Sequence, residues 1–202
     1  MADQTAVVAT RNFWVYKVAW SSTNTIPANT VTWGTAWGTP AGQSAAYANV
    51  GYTIGGLDFN IEVTRGEIRV DQEFDPVLRP ATGRNMSLSC QLAEFTPLNV
   101  YNAAQQGTYT AVAATTAVRG YSDLDFVSTI TDTFQTVGFD IEGQDLEAIR
   151  IIGWKTQPAG GITGQIRPTE AAQIQLNAVC FPDTSVSPAR ILKFRDITPI
   201  AA

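Results

Sequence analysis

Asn85 to Leu92 alternates without a break. Met86, Leu88, Cys90 and Leu92 are apolar, and Asn85, Ser87, Ser89 and Gln91 between them are polar. Successive side chains of an extended chain point to opposite faces, so period two predicts a strand with one side buried. The same alternation recurs over 170–181, where Ile174, Leu176, Ala178 and Cys180 are expected to face inward and Gln173, Gln175 and Asn177 outward. Leu57, Phe59, Ile61 and Val63 interleave likewise with Asp58, Asn60, Glu62 and Thr64. A chain with this many half-buried strands must fold around antiparallel sheet. The first of these strands runs almost directly into a helix. Thr96 stands at an N-cap, Pro97 at the first helical position, and an amphipathic run follows. The polar side of that strand carries no charge before Glu94, whereas a solvated strand face ordinarily includes Lys, Arg or Glu.

Charge is scarce throughout. Of 202 residues, 15% are charged, against about 25% in ordinary soluble domains. A chain of this length buries about 70% of its unfolded surface and forms one domain without a metal or disulfide. With 13 basic residues and a net charge of -5, it is a poor candidate for tight binding to nucleic acid, which needs Lys and Arg to displace counterions. There is no histidine, which removes the commonest general base and metal ligand. Gly160, Gly161 and Gly164 are followed by no Lys-Ser/Thr, so they make no phosphate-binding loop. The pairs Asp123/Asp125 and Asp140/Glu142 each share one strand face and could hold Ca²⁺ or act as acid and base; solvated surface pairs are the commoner case. The chain is therefore expected to be no enzyme and to need no cofactor. Cys90 and Cys180 both fall on apolar strand faces and are expected to be buried thiols, with a bond between them left open. Residues 1–10 lack the basic start and apolar core of a signal peptide, and no apolar run reaches about 20 residues. The expected site of synthesis is the cytosol.

Along the chain, residues 1–12 read as a loose arm and Phe13–Trp20 as a strand. From Val18 to Leu57 there is no charged residue. This 18–57 region reads as a long loop whose Trp33, Trp37, Tyr47 and Tyr52 make a contact surface; a low-complexity linker is the other reading. Arg65-Gly66 is expected to turn a hairpin, with Ile68 and Val70 continuing the apolar face on its second strand. Residues 72–84 read as a loop, and 107–122 as a loop or weak strand. Further strands are expected near 124–130, 133–141, 146–156 (where a short helix also fits), 170–181 and 191–197, with 158–164 a flexible loop and 198–202 a tail. The fold class is mainly β: an antiparallel sandwich or barrel with one flanking α-helix.

The order of these segments resembles the tail tube (major tail) proteins of bacteriophages. The resemblance rests on GGLDFNIEVTRGEIRVDQEFDPV, then TGRNMSLSCQLAEFTPLNVYNA, and near the C-terminus AAQIQLNAVCFPD followed by ARILKFRDI, covering roughly 51–106 and 170–197. It implies hexameric rings stacked into a hollow tube, an inner β-barrel to which every subunit lends strands, and terminal arms and a long loop that bind neighbouring rings. It implies no catalysis, a place in the virion tail after assembly in the host cytoplasm, and DNA passing through the lumen without specific binding. The partners implied are further copies of the chain, a tape-measure protein, tail-end proteins, and a sheath protein if the tail contracts; none is a membrane.

The residues fit that role in a specific way. A lysine-lined channel would hold a polyanion, whereas a wall of Ser, Asn, Gln and a few carboxylates would let it slide. Asn85, Ser87, Ser89, Gln91, Gln173, Gln175 and Asn177 are expected to line the lumen, joined by Asp58, Asn60 and Glu62. The competing reading puts these faces on the outside of the tube. Two other functions remain open: a carbohydrate-binding β-sandwich using Trp33 and Trp37, and a secretion-system tube.

Overall fold

A computed structural model of the chain describes residues 12–19, 21, 48–50, 53–129, 133–142, 148–162, 164–167 and 170–197. The fold is mainly β, with a strongly curled antiparallel sheet that makes half a barrel and one helix packed on it. In chain order the strands are β1 (Asn12–Ala19), β2 (Ala48–Asn49), β3 (Thr53–Arg65), β4 (Ala81–Leu92), β5 (Thr108–Val112), β6 (Tyr121–Asp125), β7 (Gln135–Glu142), β8 (Ala148–Pro158), β9 (Gly164–Arg167), β10 (Glu170–Phe181) and β11 (Leu192–Ile197). The main path runs β2-β1-β7-β8-β10-β4-β3, and β5 pairs separately with β6.

The three strands with the strictest alternation, β10, β4 and β3, are neighbours at one end of this order. Leu88, Cys90 and Leu92 of β4 and Ile174, Leu176, Ala178 and Cys180 of β10 are all buried. All of these but Ala178 meet Val137 and Phe139 of β7, Ile151 of β8 and Val50 in one apolar cluster. The helix α1 (Pro97–Ala104) begins as the sequence predicts. The Thr96 hydroxyl accepts the Asn99 N–H at 3.1 Å, and Pro97 holds the first turn. Gln105 ends the helix in the left-handed region at φ 53°. Val100 and Ala103 seat the helix against the core cluster, so it covers the core side of the sheet.

β8 is the branch point. One edge pairs with β7 along most of its length; the other pairs with β11 over Ala148–Gly153 and with β10 over Lys155–Pro158. Between these two partners the β7–β8 register slips. The slip pulls backbone groups out of the ladder, and threonines replace what is lost. Thr136 Oγ1 donates to Trp154 O at 2.7 Å, and Thr156 Oγ1 donates to Gln135 O at 2.9 Å. Gly153 sits at the branch because nothing larger fits. A Cβ there would lie 2.9 Å from Thr156 Cγ2 and 3.1 Å from both Cys180 Sγ and Leu88 Cδ1.

Several expectations need correction. Arg65-Gly66 does not turn a two-stranded hairpin into 67–71. β3 pairs instead with β4, from Thr53↔Leu92 to Arg65↔Ala81, and residues 66–80 form the connection, with a single bridge between Ile68 and Leu78. Alternation marks which face of a strand is apolar but carries no information about its partner. Residues 81–84, read as loop, belong to β4, and the 107–122 region holds β5 and the start of β6. β6 closes on β5 and not on β7. Of the 146–156 segment, residues 148–156 are strand, with Ile151 and Ile152 buried on opposite faces. The 158–164 loop is shorter, since β8 ends at Pro158 and β9 starts at Gly164. The uncharged 18–57 region is also trimmed: Val18 and Ala19 lie in β1, Ala48 and Asn49 in β2, and Thr53 to Leu57 in β3. Residues 1–11, 22–47 and 198–202 lie outside the described residues.

Candidate functional site

The β3–β4–β10 register assembles the predicted polar residues on one surface. Asp58 stands opposite Ser89, Asn60 opposite Ser87, and Glu62 opposite Asn85. Across the next ladder Gln91 faces Gln175 and Ser89 faces Asn177. Gln173 precedes Gln175 by one full pleat on the same side. Residues up to 119 positions apart in the chain therefore form a continuous polar face three strands wide. It lies opposite the core face and opposite the helix. Asp58, Asn60, Glu62, Asn85, Gln91 and Gln175 are exposed, and Ser87, Ser89, Gln173 and Asn177 half-buried.

Its charge is one-signed and small. Asp58 and Glu62 are the charged members, and both lie on β3. Sequence reasoning missed the margins of the face. Ile54 stands opposite Gln91 at one end. At the other, Val179 stands opposite Ser87, and Lys155 of β8 stands opposite Phe181. The Lys155 ammonium lies 4.2 Å from the centre of the Phe134 ring, which also meets Phe181 edge-on. The period-two signal could not find Lys155, because the register slip in β8 breaks the period there.

The reverse side of β3 is apolar and largely uncovered. Phe59 is 54% exposed, Ile61 44% and Val63 43%. Phe59 makes one edge-to-face contact with Phe194 of β11, at 5.4 Å between ring centres. β3 also ends the sheet path, so along 53–65 its outer edge has no neighbouring strand among the described residues. An edge of that length with an apolar flank is what soluble monomers avoid.

The other candidates resolve differently. Asp140 belongs to no exposed acidic pair. Its carboxylate is buried and held by Arg150 through two hydrogen bonds of 2.7 and 2.9 Å. Asp123 and Asp125 are exposed on one face of β6. Among the described residues no group of three or more acidic or cysteine side chains could hold a metal ion. Cys90 and Cys180 are buried thiols without a disulfide, and burial pushes the Cys180 thiol up to about 12. Trp33, Trp37, Tyr47 and Tyr52 lie outside the described residues. Among the described residues no helix is long and apolar enough to cross a membrane.

One feature has no signal in the sequence pattern. A groove of about 790 Å³ opens between the C-terminal end of α1 and the 159–162 loop, lined by Phe95, Val100, Phe126 and Ile162 among others, with no charged side chain. Gln105, at the helix end, borders it. Comparison with models of protein families and with curated proteins found no match to the chain.

Proposed function

We propose that the chain is a structural subunit that closes into rings and stacks into a hollow tube, with the β3–β4–β10 polar face turned to the lumen. The observation that carries this reading is the face itself: wide, continuous, and built of amides and hydroxyls with two carboxylates. Such a surface is suited to a polyanion that must pass without being held. Double-stranded DNA carries one charge per about 1.7 Å of axis, and each Lys or Arg contact with it adds a salt-dependent attraction. The uncovered apolar flank and open edge of β3 support the same reading, because a closed ring of subunits removes both liabilities. In this role the protein is a virion tail tube component that conducts the genome and catalyses nothing. Its partners are other copies of itself and the proteins that start, measure and end the tube.

The double substitution Ser87→Lys with Gln175→Lys tests the assignment. Tubes are expected to form, and DNA delivery from particles carrying them to slow. Unchanged delivery through normally assembled tubes would place the face elsewhere. Negative-stain electron microscopy of the purified chain tests the tube: filaments of uniform width with a central channel are expected, and isolated globular particles at high concentration would overturn it.

A further inference from the structure

The groove at the C-terminal end of α1 has walls of aromatic rings and bare backbone. Phe95 and Phe126 line it and are 44% and 61% exposed. Val100 of the helix and Ile174 of β10 join them from the core side. Gly164 lets the first ring lie against the backbone of β9, since a Cβ there would sit 3.1 Å from Phe95 Cε2. Across the opening Gly160 and Gly161 put no side chain into the space, and a Cβ at either would meet nothing within 4 Å. Gly160 holds φ at 103°, a conformation that a side chain would strain. The volume of about 790 Å³ falls among those of small-molecule sites, which run from about 300 to 1,000 Å³.

The polar groups on these walls are neutral. The lining holds no Asp, Glu, Lys or Arg, so an ion entering it would lose water and gain no counter-charge. Gln105 is the most enclosed of the polar side chains there: it is 5% exposed, and its Oε1 makes no hydrogen bond. Its backbone is fixed on both sides. The N–H donates to Tyr101 O at 2.7 Å, and the carbonyl accepts from Thr133 Oγ1 at 3.2 Å. A buried amide oxygen without a donor carries a cost that an incoming N–H or O–H removes. The terminal amide torsion is soft, and turning the oxygen onto a donor in the groove breaks no bond at that atom.

We propose that this groove binds a neutral, ring-bearing small molecule with one N–H or O–H donor, its rings against Phe95 and Phe126 and its donor on Gln105 Oε1. Two phenyl walls favour an aromatic occupant, which meets them offset or edge-on. The absence of counter-charge selects against an ionised relative of the same shape. The site lies on the helix side of the sheet, away from the polar face, so the proposal does not rest on the tube reading.

Three related probes test it on the full chain. N-phenylnaphthylamine is neutral, carries aromatic rings and one N–H, and brightens in apolar surroundings. It is expected to saturate at one molecule per chain. Anilinonaphthalene sulfonate adds a charge to the same frame, and the N-methylated amine removes the donor; each is expected to bind about tenfold more weakly or worse. In wild type, the methyl NMR signals of Val100, Ile162 and Ile174 should shift with the first probe. Gly161→Trp, which fills the groove from a position with open space around it, should abolish binding. Gln105→Leu should bind the amine and its N-methylated form alike. Circular dichroism checks that both variants fold, and if either does not, the wild-type probe comparison and the methyl shifts decide alone. Failure of the first probe to saturate, a charged or N-methylated probe that binds wild type as well, or shifts confined to other methyl groups would each overturn the proposal.

Discussion

At the scale of single residues, the branch in β8 depends on a side chain that is missing. Gly153 lets Leu88, Thr156 and Cys180 meet where β8 changes partner from β11 to β10. The Gly153→Ala variant should lose about 1–3 kcal/mol in urea denaturation, the usual cost of forcing a methyl group into a packed interior. Asp183 works through charge. Arg190 Nε donates to it at 2.7 Å while the guanidinium lies 3.6 Å from the Trp154 ring centre, which pins the β10–β11 connection onto β8. Burial of Asp183 favours its neutral acid, but hydrogen bonds from Ser185 and Arg190 outweigh burial and hold the carboxyl below the ordinary carboxylate range. The unfolded chain takes up its proton first, near pH 4. The stabilisation is therefore complete above that value and is lost as pH falls through the lower folded one. Asp183→Asn should be less stable than wild type at pH 7, and the difference should shrink at pH 3. A difference that stays constant between the two would show that charge plays no part. Neither residue's role was legible in the sequence. Gly153 sits in an apolar run and Asp183 in a Pro-Asp turn, and only the strands packed around them make each one critical.

At the scale of elements, legibility followed the locality of the signal. The Thr96-Pro97 helix start is written in adjacent residues and stands in the structure as read. Thr96→Ala should cost about 1 kcal/mol in equilibrium unfolding, because it orphans the Asn99 N–H. The buried faces of β4 and β10 were equally legible, since Leu88, Cys90, Leu176 and Ala178 declare them by period alone. The partner of β3 was not. A turn dipeptide at Arg65-Gly66 suggested a neighbour a few residues away, yet β3 closes on a strand beginning at Ala81. The 66–80 excursion carries Pro76 and Pro80, and its side chains form ion pairs and leave Phe74 exposed in place of a ladder. The register slip between Ile54 and Leu57 was also hidden. Gly55 and Gly56 take φ values of 80° and 82° there, a conformation that only the lack of a side chain makes easy.

At the scale of the whole molecule, the low charge count and the uncovered apolar surface describe one design. On the tube reading, surfaces that a monomer would protect with Lys and Glu are covered by other copies of the chain. Association driven by such surfaces strengthens on warming in the cold range, because apolar burial is entropic near room temperature. Polymer mass measured by light scattering should therefore rise between 5 and 25 °C, and a fall would point to polar contacts instead. The sequence by itself determined the strand class, the helix, the buried side of each central strand and the neutrality of the opposite side. All of these depend on the chemistry of neighbours within a few residues. Only the tertiary structure decided that Asp58, Ser89 and Asn177 share one surface, that Asp140 is consumed by Arg150, and that an uncharged groove opens at the C-terminal end of the helix. Those facts depend on strand register and on the curl of the sheet, which are set by packing between residues far apart in the chain.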